Sequence, residues 1–268
     1  MSSSSLSVPA DTVARMSDHR AACGLAADFD PFERIEADTL ALAAAADGRF
    51  ALPVAGCPGW SVADLVWHLL EVQQFWAAIV AGRVRDPAGI PRPDRPTDDA
   101  ELLPQLRSGA ARLVGALRTA DPGEPVWTWA ARKDAGWVVR HQVQEAAVHR
   151  WDAEQAAGRD VPLHPAAAAD GVDEFLQIST PFPVEGAEPL GGRLQLTAVD
   201  VGLTWTVEED ADGTIRCEQT ATGDAAAVVR GSASDLLLYL YRRRPATALE
   251  VTGDVGVAER FARRNSTD

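Results

Sequence analysis

The sequence predicts an α+β fold, in which a bundle of four helices precedes a smaller part built from helices and an antiparallel sheet. In the first half of the chain, apolar residues recur at i, i+3, i+4 and i+7, the spacing of amphipathic helices. After Pro162 the pattern changes to short alternating segments separated by Gly and Asp, which indicates antiparallel strands. With 268 residues and a hydrophobic fraction of 46%, the chain has enough apolar material for two medium-sized domains with buried cores.

We expect three segments along the chain. Residues 1–28 form a leader, because the serine run after Met1 has nothing to pack and no periodic apolar pattern follows it. The leader also lacks the apolar core of a secretory signal. A helical domain over 29–160 and an α+β domain over 161–268 follow.

Composition excludes several classes of partner. The net charge of -14 argues against nucleic acid and against an anionic membrane surface. No apolar run approaches the roughly 18 residues that a membrane span needs. Three widely spaced cysteines without a CxxC pair favour a reducing compartment. We therefore expect a cytoplasmic monomer or homodimer whose partner is a small molecule, and a small anion stays possible because it needs only a local cluster of arginines.

Four helices are predicted in the first half. The first begins at Pro31 and its alanine run continues to Ala46. The second spans about Val62 to Ala81 and has Ser61 as its N-cap, with Asp64 three residues later. The third carries its apolar side from Leu102 to Leu117, and the fourth ends near Gly158. Before the fourth helix, three tryptophans flank a turn-like Lys-Asp-Ala-Gly segment, which predicts an irregular excursion or a hairpin over residues 126–139.

The second half is predicted to mix helices and strands. A helix is expected over residues 165–178, and the C-terminal segment VGVAERFARR indicates a last helix. The segment GSASDLLLYLYRRRP reads as a capped helix that includes the arginine run. The predicted strands lie in RLQLTAVD, LTWTVEE, TIRCEQT, AAAVVRG and LEVTGD.

The fourth helix carries the residues with the clearest chemistry. Glu145 and His149 are four residues apart, so their side chains lie on the same helix face and can hold one divalent cation. His68 lies on the flank of the apolar stripe of the second helix, where a ligand would point into a bundle. One oxygen and two nitrogen ligands suit Zn²⁺ best, with Ni²⁺, Fe²⁺ or Mn²⁺ as possibilities. Three protein ligands leave an open position, as in catalytic sites.

Other interpretations of these residues stay open at this point. A Glu–His pair at this spacing is common on solvated helix faces, and a histidine near an apolar stripe is often a hydrogen-bonded core residue. His141, one turn before Glu145, is a competing ligand that we expect at or beyond the rim of the site.

Three nearby residues have two interpretations each. Asp152 either supports His149 as a hydrogen-bond acceptor or pairs with Arg150 or Arg140 on its own helix. Cys57 is a possible nucleophile, but no histidine partner is identifiable near it in the sequence. The tryptophans at positions 60 and 151 are expected to pack rather than to bind substrate.

The motifs CPGWSVADLVWHL and VHRWDAE together resemble the mycothiol-dependent maleylpyruvate isomerase family of DinB/YfiT-like metal-dependent bundles. The later segment GSASDLLLYLYRRRP…VTGD is similar to the second domain of that family. The resemblance extends from about Phe32 to Arg264. It implies a DinB-like four-helix bundle and implies that His68, Glu145 and His149 are the metal ligands.

The resemblance also implies a catalytic arginine in the last domain, at the position of Arg243. This chain reads Tyr-Arg-Arg-Arg where the family has a Trp-Gly-Arg-like segment, so Arg242 and Arg244 are alternatives. The segment HQVQ before Glu145 also departs from a more basic run in the family. Because that stretch would line the entrance of the site, the substrate can differ.

The function that the resemblance implies is a cis–trans isomerisation with mycothiol as the thiol cosubstrate. A metal-bound thiolate would add to a conjugated cis double bond, and an arginine would hold the carboxylates of the substrate. One alternative is a mycothiol S-transferase that keeps the adduct and acts on a xenobiotic or a biosynthetic intermediate. Hydrolysis by a metal-bound water is another alternative, and so is a binding or regulatory protein without catalysis.

Overall fold

The structure is a computed structural model that describes residues 29–180, 183–221 and 223–265. The predicted leader lies outside the described residues. The helices are α1 Pro31–Ala46, α2 Val62–Ala81, α3 Leu102–Thr119, α4 Ala135–Ala156, α5 Pro165–Ile178, α6 Ala233–Leu240 and α7 Val255–Arg264. The strands are β1 Leu194–Ala198, β2 Leu203–Glu209, β3 Ile215–Glu218, β4 Ala227–Gly231 and β5 Glu250–Gly253. The α+β class is therefore confirmed, whereas the domain bounds stay a prediction.

Side-chain caps set where the bundle helices begin. The Asp30 carboxylate accepts the backbone N–H of Phe32 at the start of α1. At the start of α2, the Ser61 hydroxyl accepts the N–H of Asp64, and the Asp64 carboxylate accepts the N–H of Ser61. This capping box fixes the first turn of the helix that carries His68.

The predicted excursion over residues 126–139 is wrong in its second half. The Asp134 carboxylate accepts the N–H of Trp137 at 2.9 Å, so α4 begins at Ala135. Gly136 lies inside the helix, where its lack of a side chain leaves room for the carbonyl of Pro122. Only the first half forms a short hairpin, which is closed by a bridge between Pro125 and Asp134.

Helix α4 contributes to every hydrophobic cluster in the described part of the chain. Trp137 and Val143 pack with the ends of α2 and α3, and Ala153 packs against the first turns of α2. Val148 and Trp151 pack instead with α5, α6 and the sheet. Because both halves of the fold bury this helix, its side chains have little freedom to move.

The sheet has the strand order β3-β2-β1-β4-β5 and is mixed, which corrects the expected antiparallel sheet. The β1–β4 pair is parallel, whereas the other pairs are antiparallel. The register explains how a short connection can join β3 to β4. Glu218 at the end of β3 is level with Thr206, Gln195 and Val228 across the sheet, so the chain crosses one end of the sheet without reversing direction.

Helices α6 and α7 pack on the sheet, and α5 lies between α6 and α4. The buried Tyr239 hydroxyl donates to the carbonyl of Ala258 at 2.6 Å and ties α6 to α7. Helix α6 ends at Leu240, before the arginine run, which corrects the prediction that these arginines are helical. Arg242 adopts a left-handed φ of 59°, so the chain turns away there and the next residue points back toward the bundle.

Among the described residues, no helix is both long enough and apolar enough to cross a membrane.

We predict that Ser61→Ala lowers the free energy of unfolding by about 1 kcal/mol, because the first turn of α2 loses its cap. Chemical denaturation measures this change. Ser108→Ala is the matched control, since the exposed Ser108 hydroxyl only donates to Pro104 within a helix and caps nothing. Equal effects of the two substitutions would contradict a stabilising role for the capping box.

Candidate metal centre

The three predicted ligands meet between α2 and α4. The Nε2 atom of His68 lies 3.1 Å from Oε1 of Glu145, and Nε2 of His149 lies 3.4 Å from the same oxygen. One donor atom from each residue lies within 4.8 Å of the others. The chain therefore brings together one carboxylate oxygen and two imidazole nitrogens from residues far apart in sequence.

This arrangement has the dimensions of a metal site. A tetrahedral zinc ion with ligand distances of about 2.0–2.1 Å has donor atoms about 3.3 Å apart. The His68–Glu145 and Glu145–His149 separations of 3.1 and 3.4 Å match that edge. The His68 side chain is 34% exposed, so the donors face an accessible side of the bundle. The donor set therefore fits a divalent cation that keeps an open position.

Asp152 orients one of these ligands. Its Oδ2 atom lies 3.1 Å from Nδ1 of His149, and its side chain is fully buried. A carboxylate on the second ring nitrogen is a common companion of a metal-bound histidine, because it fixes the ring and directs Nε2 at the cation. Of the two interpretations of Asp152, the structure therefore supports the hydrogen-bond acceptor for His149 over the salt bridge on its own helix.

The alternative partners of Asp152 are engaged elsewhere. Arg150 pairs with Glu154 at 2.6 Å and with Asp38 at 3.3 Å. Arg140 binds two carboxylates of α5 instead, those of Asp170 and Asp173.

Arg243 is the arginine of the run that reaches this site, but it does not point at open space. Its Nε and Nη2 atoms donate to the two oxygens of Asp152 at 3.1 and 2.9 Å. Its Nη1 atom donates to the carbonyl of Tyr241 at 2.9 Å. The side chain is only 6% exposed. Arg243 is expected from the sequence to hold substrate carboxylates, but in the structure its guanidinium is already paired with Asp152.

The two neighbouring arginines point elsewhere. Arg242 donates to the backbone carbonyls of Ala262 and Asn265, at the end of α7. Arg244 binds the carboxylate of Asp160 through Nη2 at 2.7 Å and lies near that of Asp235. Both therefore have structural partners outside the candidate centre.

A second set of donors, Cys57, His149 and Asp152, also lies within 4.8 Å. The Arg243 guanidinium touches this set directly, with Nη2 3.2 Å from the Cys57 sulfur. A positive charge in that position repels a cation, so the set with His68 and Glu145 is the better metal site. Burial and the Asp152 carboxylate raise the pKa of the Cys57 thiol to about 12, which also argues against a cysteine nucleophile.

The charges of the site are strongly coupled. Burial lowers the pKa of His149, but the carboxylates of Glu145 and Asp152 outweigh it and raise the pKa to about 9. Burial acts to raise the pKa of Glu145, yet His149 and His68 hold it well below its usual range. Without a cation, His149 therefore carries a proton, and metal binding has to displace that proton.

His141 is not part of the donor set. Its Nδ1 atom lies 2.8 Å from Oε1 of Glu174, a residue of α5 with 1% exposure. Its ring stacks on Trp137, with an angle of 9° and 4.9 Å between centroids. The expectation that His141 lies at or beyond the rim of the site stays a prediction. Its Glu174 partner could not be predicted from the sequence, because the contact depends on how α5 docks against α4.

Comparisons with known proteins cover most of the chain. A family model described as "Mycothiol maleylpyruvate isomerase N-terminal domain" matches residues 32–154. A second one, described as "MDMPI C-terminal domain", matches residues 166–260. The two models belong to one family and follow each other in order. No curated protein sequence matches the chain.

Solved structures share the fold. One is a crystal structure of the mycothiol-dependent maleylpyruvate isomerase, with a TM-score of 0.54 and 15% identity. The other is a histidine-to-alanine mutant of the enzyme of that name, with a TM-score of 0.57 and 14% identity. Each alignment covers 83% of this chain and 91% of the other. The consecutive matches to both domain models, together with this fold, show that the chain belongs to the mycothiol maleylpyruvate isomerase family.

Proposed function

We propose that this protein is a metal-dependent enzyme that uses mycothiol as a cosubstrate and catalyses the cis–trans isomerisation of an electrophilic small molecule. The observation that carries the proposal is the convergence of His68, Glu145 and His149 on one accessible point. Family membership and the names of the similar structures supply the thiol and the reaction class. Zn²⁺ is the proposed cation, with Ni²⁺, Fe²⁺ or Mn²⁺ as alternatives.

The chemistry needs a thiolate. A cation held by the three donors would lower the pKa of a coordinated thiol, so that the thiol is ionised near neutral pH. Addition of a thiolate to one carbon of a conjugated cis double bond leaves a single bond that can rotate. Loss of the same thiolate restores the double bond in the trans form, and no thiol is consumed.

The residues of this chain prepare that reaction. The donor atoms of His68, Glu145 and His149 are held in place because α2 and α4, which carry them, are packed on both sides of the site. Asp152 keeps the His149 ring turned so that Nε2 faces Glu145. Arg243 in turn fixes the Asp152 carboxylate and neutralises its charge. Arg243 is thus proposed as a positioning residue.

A direct assay tests the proposal. Purified protein loaded with Zn²⁺ is mixed with mycothiol and a cis substrate, either maleylpyruvate or dimethyl maleate. The expected result is the trans product at constant mycothiol concentration, with no enhancement in the absence of metal or of thiol. Turnover no faster than the non-enzymatic rate, with both substrates and each of the four metals, would contradict the isomerase.

A mycothiol S-transferase is the second candidate. The observation in its favour is the pairing of Arg243 with Asp152, because an isomerase of a dicarboxylate gains from a free arginine that holds the carboxylates, whereas a transferase for an uncharged electrophile does not need one. In the same assay, a transferase consumes one mycothiol for each substrate molecule and accumulates the thioether adduct.

We predict that His68→Ala and His149→Ala each abolish stoichiometric zinc binding, because each removes one of three donors. Elemental analysis after dialysis measures the metal content. The control is His164→Ala, since the His164 ring lies against Phe29 at the start of α5, away from the donor set. A histidine variant that keeps full occupancy would remove that residue from the proposed ligands.

We also predict that Arg243 affects the metal through Asp152. Asp152→Asn should weaken zinc binding about 10- to 100-fold, and Arg243→Ala should weaken it by a smaller factor. In the Asp152→Asn background, the effect of Arg243→Ala should disappear. Competition with a chromogenic chelator gives the zinc affinities, and Arg244→Ala serves as the control. If Arg243→Ala does not fold, Arg243→Lys is measured in its place. An Arg243 effect of full size in the Asp152→Asn background would refute the linkage.

A further inference from the structure

One histidine next to the donor set keeps a free ring nitrogen. His141 precedes Glu145 by four residues, so the two side chains lie on the same face of α4, about one turn apart. Glu174 occupies Nδ1 of His141, but no described residue forms a hydrogen bond with Nε2. The side chain is 12% exposed, and Nε2 is not among the unpartnered atoms that the fold buries. His141 therefore has one ring nitrogen available to a bound molecule.

The His141 ring is held in a fixed orientation. Its Nδ1 atom lies 2.8 Å from Oε1 of Glu174, which comes from α5. Trp137 stacks on the ring with 4.9 Å between centroids, and Trp129 meets it edge to face, also at 4.9 Å. A ring that is bonded at one nitrogen and packed against two other rings needs little reorganisation before its second nitrogen forms a bond.

The charges around His141 favour its protonated form. Glu174 is almost fully buried, and its second oxygen, Oε2, has no partner. Burial acts to lower the pKa of His141, but the carboxylate of Glu174, together with that of Glu145, outweighs burial and raises it. His141 in turn acts to lower the pKa of Glu145, so the two groups interact along the helix. The other rings that pack on His141 are uncharged, namely those of Trp76, Trp129 and Trp137.

The protonation state of His141 decides what its Nε2 atom can do. A neutral imidazole has one donor and one acceptor nitrogen, whereas the imidazolium cation has two donors. The carboxylate of Glu174 accepts from Nδ1–H in both states. Nε2 is therefore a donor only while the ring is charged, and it becomes an acceptor above the raised pKa.

The proposed reaction needs such a donor. When a thiolate adds to a double bond conjugated with a carbonyl group, negative charge develops on the carbonyl oxygen, and a donor already in place stabilises it. The charged arginines nearby are committed elsewhere, since Arg243 binds both oxygens of Asp152 and Arg140 binds two carboxylates of α5. Beside them, His141 has an N–H to spare.

We infer that His141, oriented by Glu174, is a further catalytic residue that donates its Nε2–H to the enolate oxygen of an α,β-unsaturated carbonyl substrate. As the sulfur–carbon bond forms, the electron pair of the carbon–carbon double bond moves toward the carbonyl oxygen. The pair returns when the thiolate leaves, and the proton stays on His141 throughout. The inference rests on the proposed function, because it assigns a residue to that reaction.

The pH dependence of turnover tests this role. His141→Gln, measured on zinc-loaded protein with mycothiol, should lower kcat about 100-fold at pH 6, with unchanged zinc content. The advantage of the wild type should shrink as the pH rises through the raised pKa of His141, above its ordinary value of 6.5, because the donor is lost. His164→Gln is the control, since the nearest ring to His164 is that of Phe29. A ratio of rates that does not change with pH would show a structural role only and would overturn the inference.

Glu174→Gln provides a second variant, which also covers a His141 variant that fails to fold. An amide in that place still accepts from Nδ1–H but no longer favours the cation. The fall in kcat should therefore begin at a lower pH than in the wild type. An unchanged pH profile in a folded Glu174→Gln protein would contradict the role of Glu174.

A binding measurement separates this inference from the proposed function. Succinate cannot react with a thiol, and its carboxylate oxygens stand in for the enolate oxygen. In ¹⁵N NMR spectra of the zinc-loaded protein at pH 6, succinate should shift the Nε2 signal of His141, which is identified by its loss in His141→Gln. An unchanged signal would overturn the inference. A shifted signal without any thiol-dependent turnover would refute the proposed function and leave His141 as an oxygen-binding donor.

Discussion

The fully buried carboxylate of Asp152 is the interaction on which the arrangement of the site depends. It accepts a hydrogen bond from His149 on its own helix and two from Arg243, which follows α6. A buried carboxylate is tolerated only when its charge is matched and its oxygens are bonded. Each half of the fold supplies one of the partners that satisfy it. The chain must therefore dock its C-terminal part correctly for the His149 ring to be fixed.

Close packing around this contact reinforces the constraint. A Cβ atom on Gly56 would lie 2.4 Å from an oxygen of Asp152 and 2.9 Å from Nε of Arg243. Only glycine lets the loop before α2 approach the ion pair so closely. The same loop continues through Cys57 to Trp60, whose ring lies 4.9 Å from that of His68. The loop therefore contacts the Asp152–Arg243 ion pair at one end and His68 at the other.

Sequence periodicity predicts the helices well, because most of them bury an apolar stripe. Five of the seven, α1, α2, α4, α6 and α7, also begin at a side-chain cap. Four bundle helices, the helix at Pro165 and the last helix follow from spacing alone. The start of α4 was missed because Gly136 and Asp134 look like a turn, although Asp134 is an N-cap. The parallel β1–β4 pair was missed because alternation along a strand reports its exposed and buried faces but not the direction of its neighbour.

The candidate site was predictable to a lesser degree. The i, i+4 spacing predicts that Glu145 and His149 share a face, and the place of His68 at the edge of an apolar stripe makes it a candidate third donor. Only the resemblance to a family favours this set over the other interpretations of these residues. The partners of Arg243 and His141 depend on how distant helices dock, and no local pattern in the sequence reports that.

X-ray absorption spectroscopy of the zinc-loaded protein tests the central claim most directly, because nitrogen or oxygen donors and sulfur donors give different distances to the metal. The account predicts only nitrogen and oxygen neighbours at about 2.0–2.2 Å in the absence of thiol. It predicts one sulfur neighbour at about 2.3 Å after mycothiol is added. A sulfur neighbour before any thiol is added would show that a cysteine of the chain binds the metal, with Cys57 the one beside His149, and it would contradict the site formed by His68, Glu145 and His149.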